Sequence, residues 1–558
     1  MTWDETGFLT RLTAAVEGFD HAGAARLTGE LSAALDQGAA VPPAAARTIL
    51  QALRRKRYFD LMEAVAVALR LAGHDEPQIR RQHAQALIDQ GKLVPAIDLL
   101  EALAARTAAA PGENAEARGL LGRAFKQLYV DAANAEAASP GAGALRAARR
   151  HLARAVEEYR GGYVADPGTH LWHGINTVAL VCRARRDGVP LTAAPDPAAL
   201  ARQILAAIGG PRKMVEVWNL ATAAEACIAL DRPKDALLWI GEYVQRPGAD
   251  AFEIASTLRQ LVEVWQLDVS TPPGSHLLPL LQSSLLDRKG GRVDLAPGEL
   301  AKTIDRSRQL EDAVEAATGR ELQKVLGRDG VVTLKWYQTG LDRCRTVAQV
   351  QTRSGDGVGT AFLVRGGDFS PACAGHTLLL TNAHVVSDDE AVQREHRALP
   401  PAEAEVTFEA LGTARDQRFG VRLLWTSPPG RLDASLLALD PPPAEVDCFP
   451  IARNLPLADG QQKVYVIGHP GGRTLALSLH DNLLLAHDRE RLIHYRTPTE
   501  GGSSGSPVFN QQWDLIGLHH AGGTALDRLD GQPGQYAANE GIWIQRILRE
   551  TQAADLRP

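Results

Sequence analysis

Glu500–Phe509 reads EGGSSGSPVF: Ser503, Ser504 and Ser506 set among Gly501, Gly502 and Gly505, followed by Pro507 and two apolar residues. A run with so few long side chains can turn sharply, and its apolar end reads as the start of a short strand. The same grammar holds on both sides. TVAQVQ from Thr346, TAFLV from Thr360, TLLLT from Thr377, KVYVIG from Lys463 and DLIGLHH from Asp514 are short apolar runs bounded by Gly, Pro and Asp. This spacing predicts an all-β barrel domain with many hairpins over residues 343–558.

Upstream the periodicity changes. Over residues 1–267 Ala and Leu recur at three- and four-residue spacing, which predicts an all-α helical array. Two stretches can be laid on each other, AQALIDQGKLVPAIDLLEAL from Ala84 and AEACIALDRPKDALLWIGEYV from Ala224. Each reads as a helix, a tight turn at Gly91 or Asp231, and a second helix opened by a small residue, Ala96 or Ala236, where two backbones approach closely. Residues 268–342, from STPPGSHLLP to a charged helical run, read as a helical connector. At 558 residues the chain exceeds the size at which one core keeps growing, in keeping with this division.

Composition excludes several classes. The hydrophobic share is 45%, the charged share 23% and the net charge -6, so nothing strongly basic invites a nucleic-acid partner. No apolar stretch reaches the roughly 20 residues of a spanning helix, and Asp4 and Glu5 stand where a signal peptide carries positive charge. Cys182, Cys227, Cys344, Cys373 and Cys448 are too scattered for a disulfide framework and form no Cys-x-x-Cys pair, so a reducing cytoplasm is expected, with no cofactor and no metal. His170 and His173 have the spacing of a metal pair but no third ligand nearby, and read as packing histidines. Trp218, Trp239 and Trp265, beside Leu and Val at helical positions, read as core.

EGGSSGSPVF resembles the Gly-x-Ser-Gly-(Ser/Gly)-Pro signature of chymotrypsin-like serine proteases, and the resemblance makes Ser504 the nucleophile, with the N–H groups of Gly502 and Ser504 as the oxyanion hole. TLLLTNAHVV from Thr377 resembles the general-base segment of the bacterial branches of that superfamily, such as the HtrA and glutamyl-endopeptidase types, and makes His384 the base. The strand GTAFLV from Gly359 precedes it, as in those relatives. RLDASLLALD places Asp433 just ahead of an apolar strand, where the family carries its orienting carboxylate; Asp440, followed by Pro441, reads as a turn residue. The order His384, Asp433, Ser504 is that of chymotrypsin. The fold implied is a double β-barrel, and the activity that of a serine endopeptidase on polypeptides.

Two departures bear on control. Ser503 stands where zymogen-type enzymes carry an Asp that pairs with a newly cut N-terminus, and Val385 where secreted animal relatives carry a Cys. Regulation is therefore expected from the helical array. IGLHHAGG from Ile516 is the segment that lines the primary pocket in this family. His519, with Thr499 shortly before the nucleophile, matches the residues that read Glu or Gln in glutamyl endopeptidases and viral 3C-type proteases, although the segment is one residue longer here. Trypsin-like selection would want an acid near Pro498.

The helical half, with RRHLARAVEEYRGGYVADP from Arg149, GLLGRAFKQLYVDAA from Gly119 and HLWHGIN from His170, resembles tetratricopeptide repeats, and more narrowly the MAP3-kinase TRAFs-binding domain. That resemblance implies a protein partner bound by the array, and a fusion of this kind resembles bacterial conflict effectors. The rival expectation is a partner-binding scaffold carrying an inactive protease fold.

Overall fold

A computed structural model describes residues 5–17, 21–138, 144–192, 194–209, 216–246, 248–269, 271–288, 335–411, 417–440, 443, 448–459, 462–472, 475–478, 482–497, 503–554 and 556. It divides into two compact units, whose described parts are residues 5–288 and 335–556.

The first unit is helical. Its helices are α1 (Glu5–Glu17), α2 (His21–Asp36), α3 (Pro43–Arg55), α4 (Phe59–Leu71), α5 (Pro77–Asp89), α6 (Leu93–Arg106) and α7 (Pro111–Ala138). They continue with α8 (Ala144–Ala165), α9 (Leu171–Arg186), α10 (Pro197–Ile208), α11 (Val217–Ala229), α12 (Pro233–Gln245), α13 (Ala251–Arg259) and α14 (Gly274–Asp287). Local chemistry sets several starts. Pro at the first turn opens α3, α5, α10 and α12, and the side chains of Asp196 and Asp250 accept N–H bonds at the starts of α10 and α13.

The two superposable stretches are the hairpins α5–α6 and α11–α12. Gly91 and Asp231 take left-handed backbone at their turns, and Ala84, Ala96, Ala224 and Ala236 are fully buried. The middle of the array is drawn together by glycines on helices. A Cβ on Gly119 would lie 2.2 Å from the Trp172 ring, and one on Gly162 would lie 2.3 Å from the His173 ring. His173 is therefore a core residue, its Nε2–H donating to the Ala115 carbonyl at 2.9 Å, and His170 Nδ1–H donates to the Gly162 carbonyl at 3.0 Å. Trp239 and Trp265 are buried as expected, whereas Trp218 is 47% exposed. Trp218, read as core, is the second residue of α11, and its apolar neighbours Val217 and Leu220 do not fix which way a first-turn side chain points.

After α13 the helix widens into a π-turn, Gln260–Val264. Gln260 there bonds Lys126 (2.7 Å), Glu225 (3.2 Å) and Asn176 (3.2 Å), and Trp265 Nε1–H donates to Glu225 (2.8 Å), so α7, α9 and α11 share one internal polar cluster. The stretch read as a connector is divided: α14 packs with α12 and α13, while residues 335–343 belong to the second unit. Among the described residues no helix is long and apolar enough to cross a membrane.

The second unit is built from β1 (Val347–Thr352), β2 (Gly357–Arg365), β3 (Thr377–Thr381), β4 (Ala404–Thr407), β5 (Phe419–Ser427) and β6 (Ala434–Asp440), closed into a barrel in the order β1-β2-β3-β6-β5-β4. It continues with β7 (Tyr465–Gly468), β8 (Ala476–Ser478), β9 (Leu484–His487), β10 (Leu492–Tyr495), β11 (Pro507–Phe509), β12 (Leu515–Asp527) and β13 (Gln535–Trp543). These form a seven-stranded sheet, β8-β7-β11-β12-β13-β10-β9. Backbone bonds from Val464 to Asn482 (2.7 Å) and from Leu484 to Gln462 (2.9 Å) tie the segment before β7 to that before β9, so this sheet also curls back on itself. The barrel interior is apolar, with Val350, Leu363, Leu379, Val406 and Leu437 among its buried residues. Helical residues 335–343 sit on the second sheet through Trp336, whose Nε1–H donates to the Gln511 carbonyl and whose ring packs on Tyr465 and Trp513.

Candidate active site

Strand pairing brings the first two candidate residues together. β3 and β6 run antiparallel with Thr381 opposite Ser435, so the residues just past the end of β3 lie beside those just before β6. His384 and Asp433 occupy those places. The His384 backbone N–H donates to Asp433 Oδ1 at 3.0 Å, and His384 Nδ1 lies 2.6 Å from Asp433 Oδ2. Asp433 is fully buried and takes a left-handed backbone (φ 45°), tolerated by Asp better than by most residues. Its own backbone is held from both sides, the N–H by the Pro428 carbonyl (3.1 Å) and the carbonyl by the Asn382 side-chain amide (2.7 Å). Burial pushes the Asp433 carboxyl up, but hydrogen bonds from His384 and from His520 more than reverse this and hold it well below the usual range.

Ser504 sits in a turn stretched between the two sheets. Its carbonyl accepts the Thr360 N–H of β2 (2.9 Å), and the next N–H, of Gly505, donates to the His519 carbonyl of β12 (2.9 Å). Gly505 has φ 87°, and a Cβ there would stand 1.9 Å from the Thr360 carbonyl oxygen and 2.5 Å from Thr381 Oγ1, so no other residue fits. Gly359 of β2 shows how close the segments bearing His384 and Ser504 run. A Cβ on it would come within 2.6 Å of Val385, the residue after His384, and within 3.3 Å of the Ser504 carbonyl oxygen. Gly502 and Thr499 lie outside the described residues.

His519 is buried, and its Nδ1 lies 2.7 Å from the Tyr495 hydroxyl. Burial, reinforced by the nearby His520 and His384, lowers its pKa to about 3, so it is a neutral imidazole. Tyr495, also buried, is pushed well above the usual phenol range and keeps its proton.

Residues 359–518 match the family described as a trypsin-like peptidase domain. The second unit carries a trypsin-like peptidase domain. Residues 20–181 match the tetratricopeptide repeats-sensor family, so the first unit carries such repeats. An uncharacterized protein of Sinorhizobium fredii, y4fB, is 26% identical over 306 residues, 46% of this chain and 43% of that protein. The glutamyl endopeptidase of Staphylococcus aureus (strain MW2) is 25% identical over 158 residues, 27% of this chain and 46% of that protein. The chain thus spans less than half the length of these curated relatives. A serine endoprotease from Yersinia pestis of known structure is 18% identical with a TM-score of 0.27, over 39% of this chain and 68% of that one.

The peptidase domain holds polar residues that sequence reasoning passed over. His520 Nδ1 lies 2.8 Å from Asp433 Oδ2 and its Nε2 lies 2.8 Å from Glu540 Oε1. Glu540 Oε2 in turn lies 2.8 Å from His494 Nε2, and His494 Nδ1 lies 2.9 Å from the Tyr536 hydroxyl. The doubled histidine in IGLHHAGG was the available signal, but only one of the pair fits a strand face turned to the pocket.

Ligand atoms of His384, Asp433 and His520 all lie within 4.8 Å of one another, near enough for a shared cation to be considered. The donor arrangement argues otherwise. Asp433 Oδ2 stands at hydrogen-bond distance from both imidazoles, at 2.6 and 2.8 Å, where a metal would need all three atoms about 2.0–2.2 Å from itself. The cluster is one of shared protons.

Proposed function

We propose that the peptidase domain is a serine endopeptidase acting on polypeptides, with Ser504 as nucleophile, His384 as general base and Asp433 as the group that orients it. The observation that carries this reading is the 2.6 Å contact between His384 Nδ1 and the buried Asp433 carboxylate, beside the turn that presents Ser504. Ser504 Oγ attacks the scissile carbonyl carbon while His384 Nε2 takes its proton. The imidazolium so formed is stabilised through Nδ1–H by Asp433, and it returns the proton to the departing amine. The N–H groups of Ser504 and Gly502 receive the oxyanion. Water then repeats the cycle on the acyl-enzyme.

Ser504→Ala and His384→Ala are expected to lower kcat by about 10⁴-fold or more, with the fold kept. Labelling of the Ser504→Ala chain by a fluorophosphonate probe as fully as the parent would refute the assignment.

The pocket is proposed to read Glu or Gln before the cleaved bond. The Tyr495 hydroxyl lies 2.7 Å from His519 Nδ1; in the tautomer in which that hydroxyl donates, the His519 proton sits on Nε2 and is offered to a side-chain oxygen, with the Thr499 hydroxyl as a second donor. A buried donor left unpaired by an apolar side chain costs about 1–3 kcal/mol, one to two powers of ten in rate. A peptide-library profile dominated by cleavage after Arg, Lys or Leu would sink the pocket reading and leave the triad standing.

We further propose that the helical array binds a protein partner and controls the peptidase in the cytoplasm, the organisation of a conflict-system effector. The repeat match and the absence of the zymogen-type Asp, with Ser503 in its place, support that reading.

A further inference from the structure

Successive residues of a strand point to opposite faces, and β12 breaks that rule at the site. Its pairing with β13 runs His519 to Gly541 and then Ala521 to Glu540, so His520 is the extra residue of a β-bulge. Bulges beside functional sites re-aim side chains. Here His519 turns to Tyr495, and His520 turns to Asp433 on one side and Glu540 on the other. The oxygen of Asp433 that His520 reaches is the same Oδ2 that meets His384.

An ionised carboxylate only accepts hydrogen bonds, so an imidazole facing one at each nitrogen carries a proton on both. We propose that His520, clamped as a cation between Asp433 and Glu540, is a positioning residue that fixes the Asp433 carboxylate against His384 and opposes a second positive charge beside it. The proposal rests on the triad reading. Burial alone would favour neutral His520, but its bonds to Asp433 and Glu540 outweigh burial and raise its pKa to about 9. Burial likewise pushes Glu540 up, and its bonds to His494 and His520 hold it well below the usual range.

The groups facing this cation are Asp433 ahead of β6, Glu540 on β13 and the neighbouring His519 and His384. Behind them stand His494 on β10, Tyr536 on β13, Tyr495 on β10, and His396, whose ring centre lies 6.3 Å from that of His384. Glu540 is thus the counter-charge that lets a cation stand next to Asp433 without cancelling it. Removing the cation makes it easier to place a positive charge on His384, whereas removing Glu540 makes it harder. The two changes act in opposite directions.

The test uses the full chain and the pH dependence of kcat/KM on a fluorogenic peptide that the parent cleaves. His520→Asn is expected to move the acid limb up by about one pH unit, and Glu540→Gln, which keeps an acceptor for His520, to move it down by a similar amount. A purely structural role would lower the rate without splitting the limbs. In parallel, ¹⁵N-histidine NMR on the Ser504→Ala chain reads the charge directly and needs neither turnover nor the other variants. His520 should be an imidazolium at pH 7.5. A neutral His520 there, or acid limbs that stay put or move together, overturns the proposal. Full activity in both Ser504→Ala and His384→Ala would instead overturn the triad reading beneath it.

Discussion

Adjacent in the chain, His519 and His520 titrate in opposite directions, and the sign of each can be followed into stability. His519 is buried and neutral, with its pKa lowered to about 3, so between about 6.5 and 3 the unfolded chain takes up a proton that the folded chain refuses. Its contribution falls as the pH drops through that window. His520, raised to about 9, holds a proton that the unfolded chain has lost, so its contribution is complete below about 6.5 and disappears as the pH rises toward 9. Between them the two residues place a stability maximum for the peptidase domain near pH 6.5. Denaturant titrations of the Ser504→Ala chain from pH 4 to pH 9 check this. Adding His520→Ala should flatten the alkaline slope, by up to about 1 kcal/mol per pH unit, and adding His519→Ala should flatten the acid one. An alkaline slope unchanged by the loss of His520 would contradict its assignment as a cation.

At the scale of elements, what could be read in the sequence and what could not follow from the same physics. The α5–α6 and α11–α12 hairpins were legible because Ala96 and Ala236 stand at equivalent places after equivalent turns, and a small residue there has one use, letting helices touch. The β3–His384 and β6–Asp433 junctions were legible because TLLLTNAHVV and RLDASLLALD resemble family segments in which a polar residue stands just after or just before an apolar strand. The β12 bulge was not, since alternation in one dimension carries no mark of the residue that breaks it, and with the bulge went the role of His520. The glycine contacts of α7, α8 and α9 were hidden for a related reason: a glycine inside a helix reads as a weak point until the ring lying over it is seen. That contact gives a prediction. Gly162→Ala would drive a Cβ to 2.3 Å from the His173 ring, which also donates to Ala115, and should destabilise the first unit by about 1–3 kcal/mol despite the better helix propensity of Ala. Gly112→Ala, with nothing within 4 Å, should cost nothing. Equal denaturation midpoints for the two variants would mean that the rings move aside freely.

At the scale of the molecule, the described candidate site residues and the polar chain behind Asp433 all lie between Trp336 and the C-terminal helix Ile544–Gln552, within the second unit. Each unit also has its own apolar core, one built on Leu12, Ile49, Met62 and their neighbours, the other on Val350, Leu379 and Leu437. Separately expressed pieces, residues 1–290 and 291–558, are therefore expected to fold and to unfold in separate transitions. On the proposed control by the array, a modest coupling free energy suffices: a tenfold restraint on the peptidase takes about 1.4 kcal/mol, within the usual range for allosteric coupling. The proposed control by the array, for which Ser503 in place of the zymogen-type Asp is the motive, is open to a direct rate comparison. The expected outcome is that residues 291–558 cleave a short Glu- or Gln-containing peptide about tenfold faster than the full chain, with kcat rather than KM carrying the change. Equal rates on the short peptide, with a difference appearing only on a folded protein substrate, would show that the array docks substrates and does not hold the site in check.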